Sequence, residues 1–170
     1  MLPKSYLIYK WSVYGLATVL LFALQHLLLN HIQIWGVTPF LYPMLPAVLA
    51  SYEGLRRGSV FGLVLGAVCD ILSAGPFDGF YTVTFTVIAL VSALIGEKLL
   101  SSDILCALTV SSLSLVATGL LHTLVLLLAG HNYPLLMLRI TLLEMILSLP
   151  SLVVIAPLYR LIYRRCAADY

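Results

Sequence analysis

The chain has 170 residues, of which 62% are hydrophobic and 9% charged, with a formal net charge of +2 and a mean hydropathy of +1.08. Soluble domains are about 45–50% apolar and about 25% charged, so this composition excludes an ordinary soluble domain and makes lipid the expected solvent for most of the chain. So small a net charge gives no basis for a nucleic-acid partner.

Six transmembrane helices are predicted in a single domain. The first is expected from about Trp11 to Leu29. Lys4 and Lys10 ahead of that apolar run resemble the start of a secretory leader. The run is too long, however, and it ends in Gln25-His26-Leu27-Leu28-Leu29-Asn30 with no small-residue cleavage pattern, so an uncleaved helix is expected. The second helix is expected from Val37 to Tyr52, with Pro39, Pro43 and Pro46 in its first half. Each proline lacks an N–H and disturbs the turn behind it, which predicts a kinked or unwound outer half.

The third helix is expected from Gly58 to Ser73. Gly58, Gly62 and Gly66 recur at intervals of four and Asp70 continues the series, giving a flat glycine face that ends in a carboxylate. Such a face lets another helix approach closely. It serves either packing within the chain or docking of a partner helix. Gly75, Pro76 and Gly79 then mark an outer turn in Ser73-Ala74-Gly75-Pro76-Phe77-Asp78-Gly79.

Helix four is expected from Phe80 to Lys98, helix five from Ile104 to Ala129, and helix six from Leu135 to Tyr163 with Pro150 and Pro157 inside it. Each carries a small or hydroxylated stripe. The stripes are Thr82, Thr86, Ala89, Ala93 and Gly96 on helix four; Ser111, Ser114, Thr118 and His122 on helix five; and Thr141, Glu144, Ser148 and Ser151 on helix six. They suit helix–helix contact in lipid or the wall of a ligand cavity. Helices two and three are short for a membrane about 30 Å thick.

Of the nine Lys and Arg residues, Lys4, Lys10, Arg56, Arg57, Lys98, Arg160, Arg164 and Arg165 fall at the two ends or in the second and fourth loops. Arg139 alone falls on the other side. Cytoplasmic loops carry the Lys/Arg excess, so both termini are expected on the cytoplasmic side. Asp70, His122, Arg139 and Glu144 are the expected buried polar residues. Ionisable groups within a membrane usually find a partner or face the interior. Arg139 is expected to pair with Asp70 or Asp78, Asp70 having a cap on the Gly75-Pro76 turn as its alternative, while Arg139 and His26 have snorkelling to the interface as theirs.

Cys69, Cys106 and Cys166 are scattered, without the spacing of a disulfide framework or a metal site. No HExxH, GxSxG or comparable motif is present. The expectation is a non-enzyme without cofactor or metal.

The run Pro43-Met44-Leu45-Pro46, Tyr52-Glu53-Gly54, Arg57-Gly58, Gly62, Gly66, Asp70 and Gly75-Pro76-Phe77-Asp78-Gly79 closely resembles the rod shape-determining protein MreD family of bacteria. The resemblance covers about Pro39 to Glu97. It implies a multi-pass protein of the bacterial cytoplasmic (inner) membrane, without catalysis. Such a protein scaffolds the elongasome, binding MreC and through it MreB, RodA and a penicillin-binding transpeptidase, and so helps position peptidoglycan synthesis for cell shape. It also implies a bundle like that of the S-components of energy-coupling-factor vitamin transporters, and a substrate-binding S-component is the alternative function. S-components often dock through a small-xxx-small face on helix one, and Tyr14 to Ala23 contains no AxxxA.

Overall fold

The computed structural model describes residues 4–27, 36–73, 75–98, 104–130 and 134–168. They form six α-helices: α1 (Lys4–Leu27), α2 (Met44–Glu53), α3 (Leu55–Leu72), α4 (Phe80–Lys98), α5 (Ile104–Leu128) and α6 (Pro134–Ala168). The expected count and order hold, and α4 has the expected bounds. α1 begins two turns early, because the charge of Lys10 is met inside the protein by Glu53 and does not stop the helix. Leu28, Leu29 and Trp35 lie outside the described residues. α6 starts at Pro134, a first-turn position where the missing N–H costs nothing, and continues through Pro150 and Pro157.

Four helices are long and apolar enough to cross a membrane, over Ile8–Leu27, Phe80–Glu97, Ile104–Leu128 and Leu138–Arg165. Their outward faces carry large apolar side chains such as Leu16, Val19, Val83, Leu113, Leu124, Ile146 and Val153, all exposed. Exposure on this scale suits hydrocarbon rather than water. α2 and α3 differ from the expected spans. α3 carries Arg56, Arg57, Asp70 and three glycines in 18 residues. α2 has 10 residues and is about 15 Å long at 1.5 Å per residue, half the thickness of a hydrocarbon core.

α2 is the centre of the bundle. Every residue from Met44 to Tyr52 is buried, and α3, α4, α5 and α6 all pack around it. The core about it includes Tyr14, Leu41, Phe85, Ile155 and Tyr159. The first half of the expected second span is unwound, as the three prolines predict: residues 36–43 are not helical, and Gly36 takes φ +79°. Pro43 is the N-cap, and Pro46 falls in the first turn, where helical N–H groups have no partner to lose.

The unwound backbone is splinted from two other helices. The Gln25 side chain of α1 donates to the Pro39 carbonyl at 2.6 Å and accepts from Leu41 N–H at 3.2 Å. Ser148 Oγ of α6 accepts from Phe40 N–H at 2.7 Å. Buried peptide groups without partners are costly, so these contacts let a non-helical segment lie inside the bundle.

Candidate functional site

The α3–α4 hairpin contains most of the residues that carry the sequence resemblance. Its glycine face is buried within the chain. A Cβ on Gly58 would come within 2.5 Å of the Ala50 Cβ, one on Gly62 within 2.7 Å of the Phe85 carbonyl, and one on Gly66 within 2.5 Å of the Thr82 Cα. The face is therefore filled by α2 and α4. A partner helix docked on it, one of the two readings of this periodicity, has no room. Gly96 of α4 makes the same close approach to Ser51, where a Cβ would lie 2.8 Å from its carbonyl.

Asp70 stands in the last turn of α3 and serves the next helix. Its carboxylate accepts from Tyr81 N–H at 2.9 Å, from Thr82 N–H at 2.8 Å, and from the Thr82 hydroxyl. Helix N-termini have unpaired N–H groups and a partial positive charge, so an anion there is stabilised. Glu97, in the last turn of α4, returns the favour by accepting from Leu55 N–H at 3.0 Å at the start of α3. Two antiparallel helices thus cap each other with carboxylates. The turn between them closes on Gly79, at φ +85°, and on Phe80 N–H donating to the Phe77 carbonyl.

Arg139 does not join this arrangement. It is exposed on α6 and takes no part in the ion pairs that Glu53 makes with Lys10 and Arg57. Three donors already satisfy the Asp70 carboxylate at the start of α4, so its stabilisation does not require an arginine. The expectation of a buried Arg139 is corrected accordingly.

Glu53, which sequence reasoning passed over, is the charged hub of the opposite end. Its side chain is 1% exposed and takes Lys10 Nζ at 2.6 Å and Arg57 Nη1 at 3.3 Å. Tyr14 donates its hydroxyl to Glu53 at 2.9 Å, and Lys10 lies 5.4 Å from the centre of the Tyr163 ring. α1, α2, α3 and α6 are therefore tied together at one end.

The polar stripes of α5 and α6 meet around a partly open cavity of about 230 Å³, closed by Phe40, Pro43 and Tyr81. Thr118, Gly119 and His122 line it from α5, and Thr141, Glu144, Met145 and Ser148 from α6. Most of the hydroxyls are already committed. Thr118 donates to the Ser114 carbonyl, Ser148 to that of Glu144, and Thr123 and Thr141 share a bond of 3.0 Å. His122 stands 5.9 Å from the Phe80 ring. Among the described residues, neither its imidazole nor the Glu144 carboxylate has a hydrogen bond or ion pair. Asp70, His122 and Glu144, expected to be buried, are each half-buried; His122 and Glu144 share one cavity, Asp70 lies outside it as a cap, and Arg139 is on the surface.

The described residues contain no group of three His, Cys, Asp or Glu able to hold a metal ion. Compared with known proteins, the chain matches no family model, no curated protein and no solved structure.

Proposed function

We propose that the chain is a non-catalytic scaffold of the bacterial cell-elongation complex, similar to MreD, embedded in the cytoplasmic membrane with both termini inside. The observation that carries this reading is the run from Pro43 to Gly79. Its prolines, glycines and Asp70 are spent on building a rigid centre: a buried α2, a tight α3–α4 contact and a capped hairpin. In this reading the chain crosses the bilayer six times. The unwound residues before α2 supply the reach that its 10 helical residues lack, since extended chain covers up to about 3.3–3.6 Å per residue. α3, at about 27 Å, nearly matches the hydrocarbon core.

The Lys10–Glu53–Arg57 cluster supports the orientation, because it gathers the basic start of α1, the α2–α3 junction and the late part of α6 at one end. That end is the cytoplasmic one by the positive-inside rule. Single cysteines at Arg56 and Phe77 report the topology. A membrane-impermeant thiol reagent is expected to label Phe77→Cys from outside, and the reverse pattern overturns the orientation.

Partner identity is tested by purifying the tagged full chain from its host in mild detergent. Recovery of MreC, with RodA or a penicillin-binding transpeptidase, is the expected result. Recovery of an ATP-binding-cassette coupling module instead would make the chain a transporter S-component.

A further inference from the structure

We infer that the cavity between α5 and α6 is a binding site for the amino group of a small organic amine, either free or as a lipid headgroup. This goes beyond the scaffold reading and does not depend on it. At about 230 Å³ the space equals roughly eight waters at about 30 Å³ each, enough for a compact polar molecule or a headgroup.

The chemistry of the walls selects the occupant. Glu144, half-buried, brings a carboxylate that has no hydrogen bond or ion pair among the described residues; the Tyr81 phenol shares the cavity without bonding to it, and Arg139, five positions earlier on α6, is exposed. A carboxylate in a low-dielectric site is costly unless matched. The hydroxyls of Thr118, Thr141 and Ser148 are held by bonds to neighbouring carbonyls and to Thr123, so they do not match it. An anion would be repelled by Glu144, and a bare metal ion lacks a third His, Cys, Asp or Glu among the described residues. A purely apolar ligand would leave the carboxylate unmatched.

An ammonium group answers each of these constraints. It neutralises Glu144 and donates to it, leaves His122 as acceptor for a further N–H or O–H, and shares the cavity with the aromatic side chains of Phe40 and Tyr81.

The test uses the purified full chain in a zwitterionic detergent without primary amines. Its thermal unfolding midpoint is followed while ethanolamine, putrescine or tyramine is titrated in, with 1,4-butanediol as the uncharged control. In a parallel arm, native mass spectrometry compares retention of phosphatidylethanolamine and phosphatidylglycerol. A ligand that binds the folded state raises the midpoint saturably, and the expected result is such a rise with at least one amine and none with the diol. Selective retention of phosphatidylethanolamine without a response to the free amines identifies the headgroup as the source.

Glu144→Gln is expected to weaken binding at least tenfold while leaving the ligand-free protein folded. His122→Phe, which keeps the ring against Phe80, is expected to weaken it less. The proposal is overturned if no amine binds in either form, or if Glu144→Gln binds undiminished. It also falls if Glu144→Gln cannot fold, because the carboxylate would then be a structural strut.

Discussion

The α3–α4 and α5–α6 hairpins have the same antiparallel plan and opposite interiors. In the first, Gly62 and Gly66 of α3 let it meet the backbone of α4, Gly58 and Gly96 seat the pair against α2, and carboxylates clamp both ends. In the second, Gly119 is the close-approach glycine among the described residues, and it meets a side chain, the Thr141 methyl. Next to that single contact the helices hold threonines, Met145, His122 and Glu144 apart around a cavity. The absence of Cβ atoms over successive turns closes a helix pair. Where they return, space opens, and polar groups of the stripe are left without partners.

The largest effect that tests this contrast is expected from Gly66→Leu. Its Cβ would meet the backbone of Tyr81 and Thr82 at 2.5–2.8 Å, and backbone has no rotamer to escape into. Overpacking of this kind costs about 3 kcal/mol or more, and little folded protein should elute from gel filtration in detergent. A normal yield would mean that the hairpin is not held by close approach.

Next come the caps. Asp70→Ala orphans the N–H groups of Tyr81 and Thr82 and should cost about 2 kcal/mol. Asp70→Asn offers one acceptor oxygen to three donors and should cost about 1 kcal/mol. Arg139→Gln should add nothing, and the Asp70→Asn/Arg139→Gln double variant should show strict additivity in its thermal midpoint. A coupling energy between them would mean that the two side chains meet after all.

Smaller is Gly119→Ala on the open pair. The added Cβ would meet the Thr141 methyl, but that methyl ends a side chain and can rotate at the expense of its bond to Thr123, so a loss of about 1 kcal/mol is expected. A loss as large as that of Gly66→Leu would erase the distinction between the hairpins. Smallest is Glu97→Gln. The bond to Leu55 is exposed and Gln keeps the acceptor, so the midpoint should move by the equivalent of a few tenths of a kcal/mol.

The same contrast shows what sequence conveys. The glycine face of α3 and the stripes of α5 and α6 are legible because helical periodicity reports which residues share a face. Periodicity does not report what that face meets, so filling by α2 and α4 and docking of a partner read alike. Asp70 was legible as a cap near the Gly75-Pro76 turn, whereas its actual target, the start of α4, lies 11 and 12 positions away. Glu97 and Glu53 were passed over as site residues, because a pairing between distant segments leaves no local pattern. The apolar composition of α2 does not convey that it sits at the centre of the bundle, because a buried helix and a lipid-exposed one have the same composition. The three prolines of the expected second span were the sign that half of it is not helix. Gln25 carried a sign as well: a lone amide within an apolar run, followed by a segment whose prolines leave carbonyls unpaired.

The splint on residues 39–41 has a consequence for how the protein is made. The contacts that satisfy this backbone come from α1, synthesised before it, and from Ser148 of α6, synthesised more than 100 positions after Phe40. A nascent chain that ends before α6 therefore carries Phe40 N–H without its acceptor, and hydrocarbon offers none. In the proposed six-span arrangement the Pro39–Leu41 stretch therefore waits, near water or under the insertion machinery, until the last helix arrives. On that reading, completion of the C-terminal helix is the event that admits the second segment to the bilayer, and chains truncated ahead of Ser148 should stay bound to the insertion apparatus and be cleared by membrane proteases.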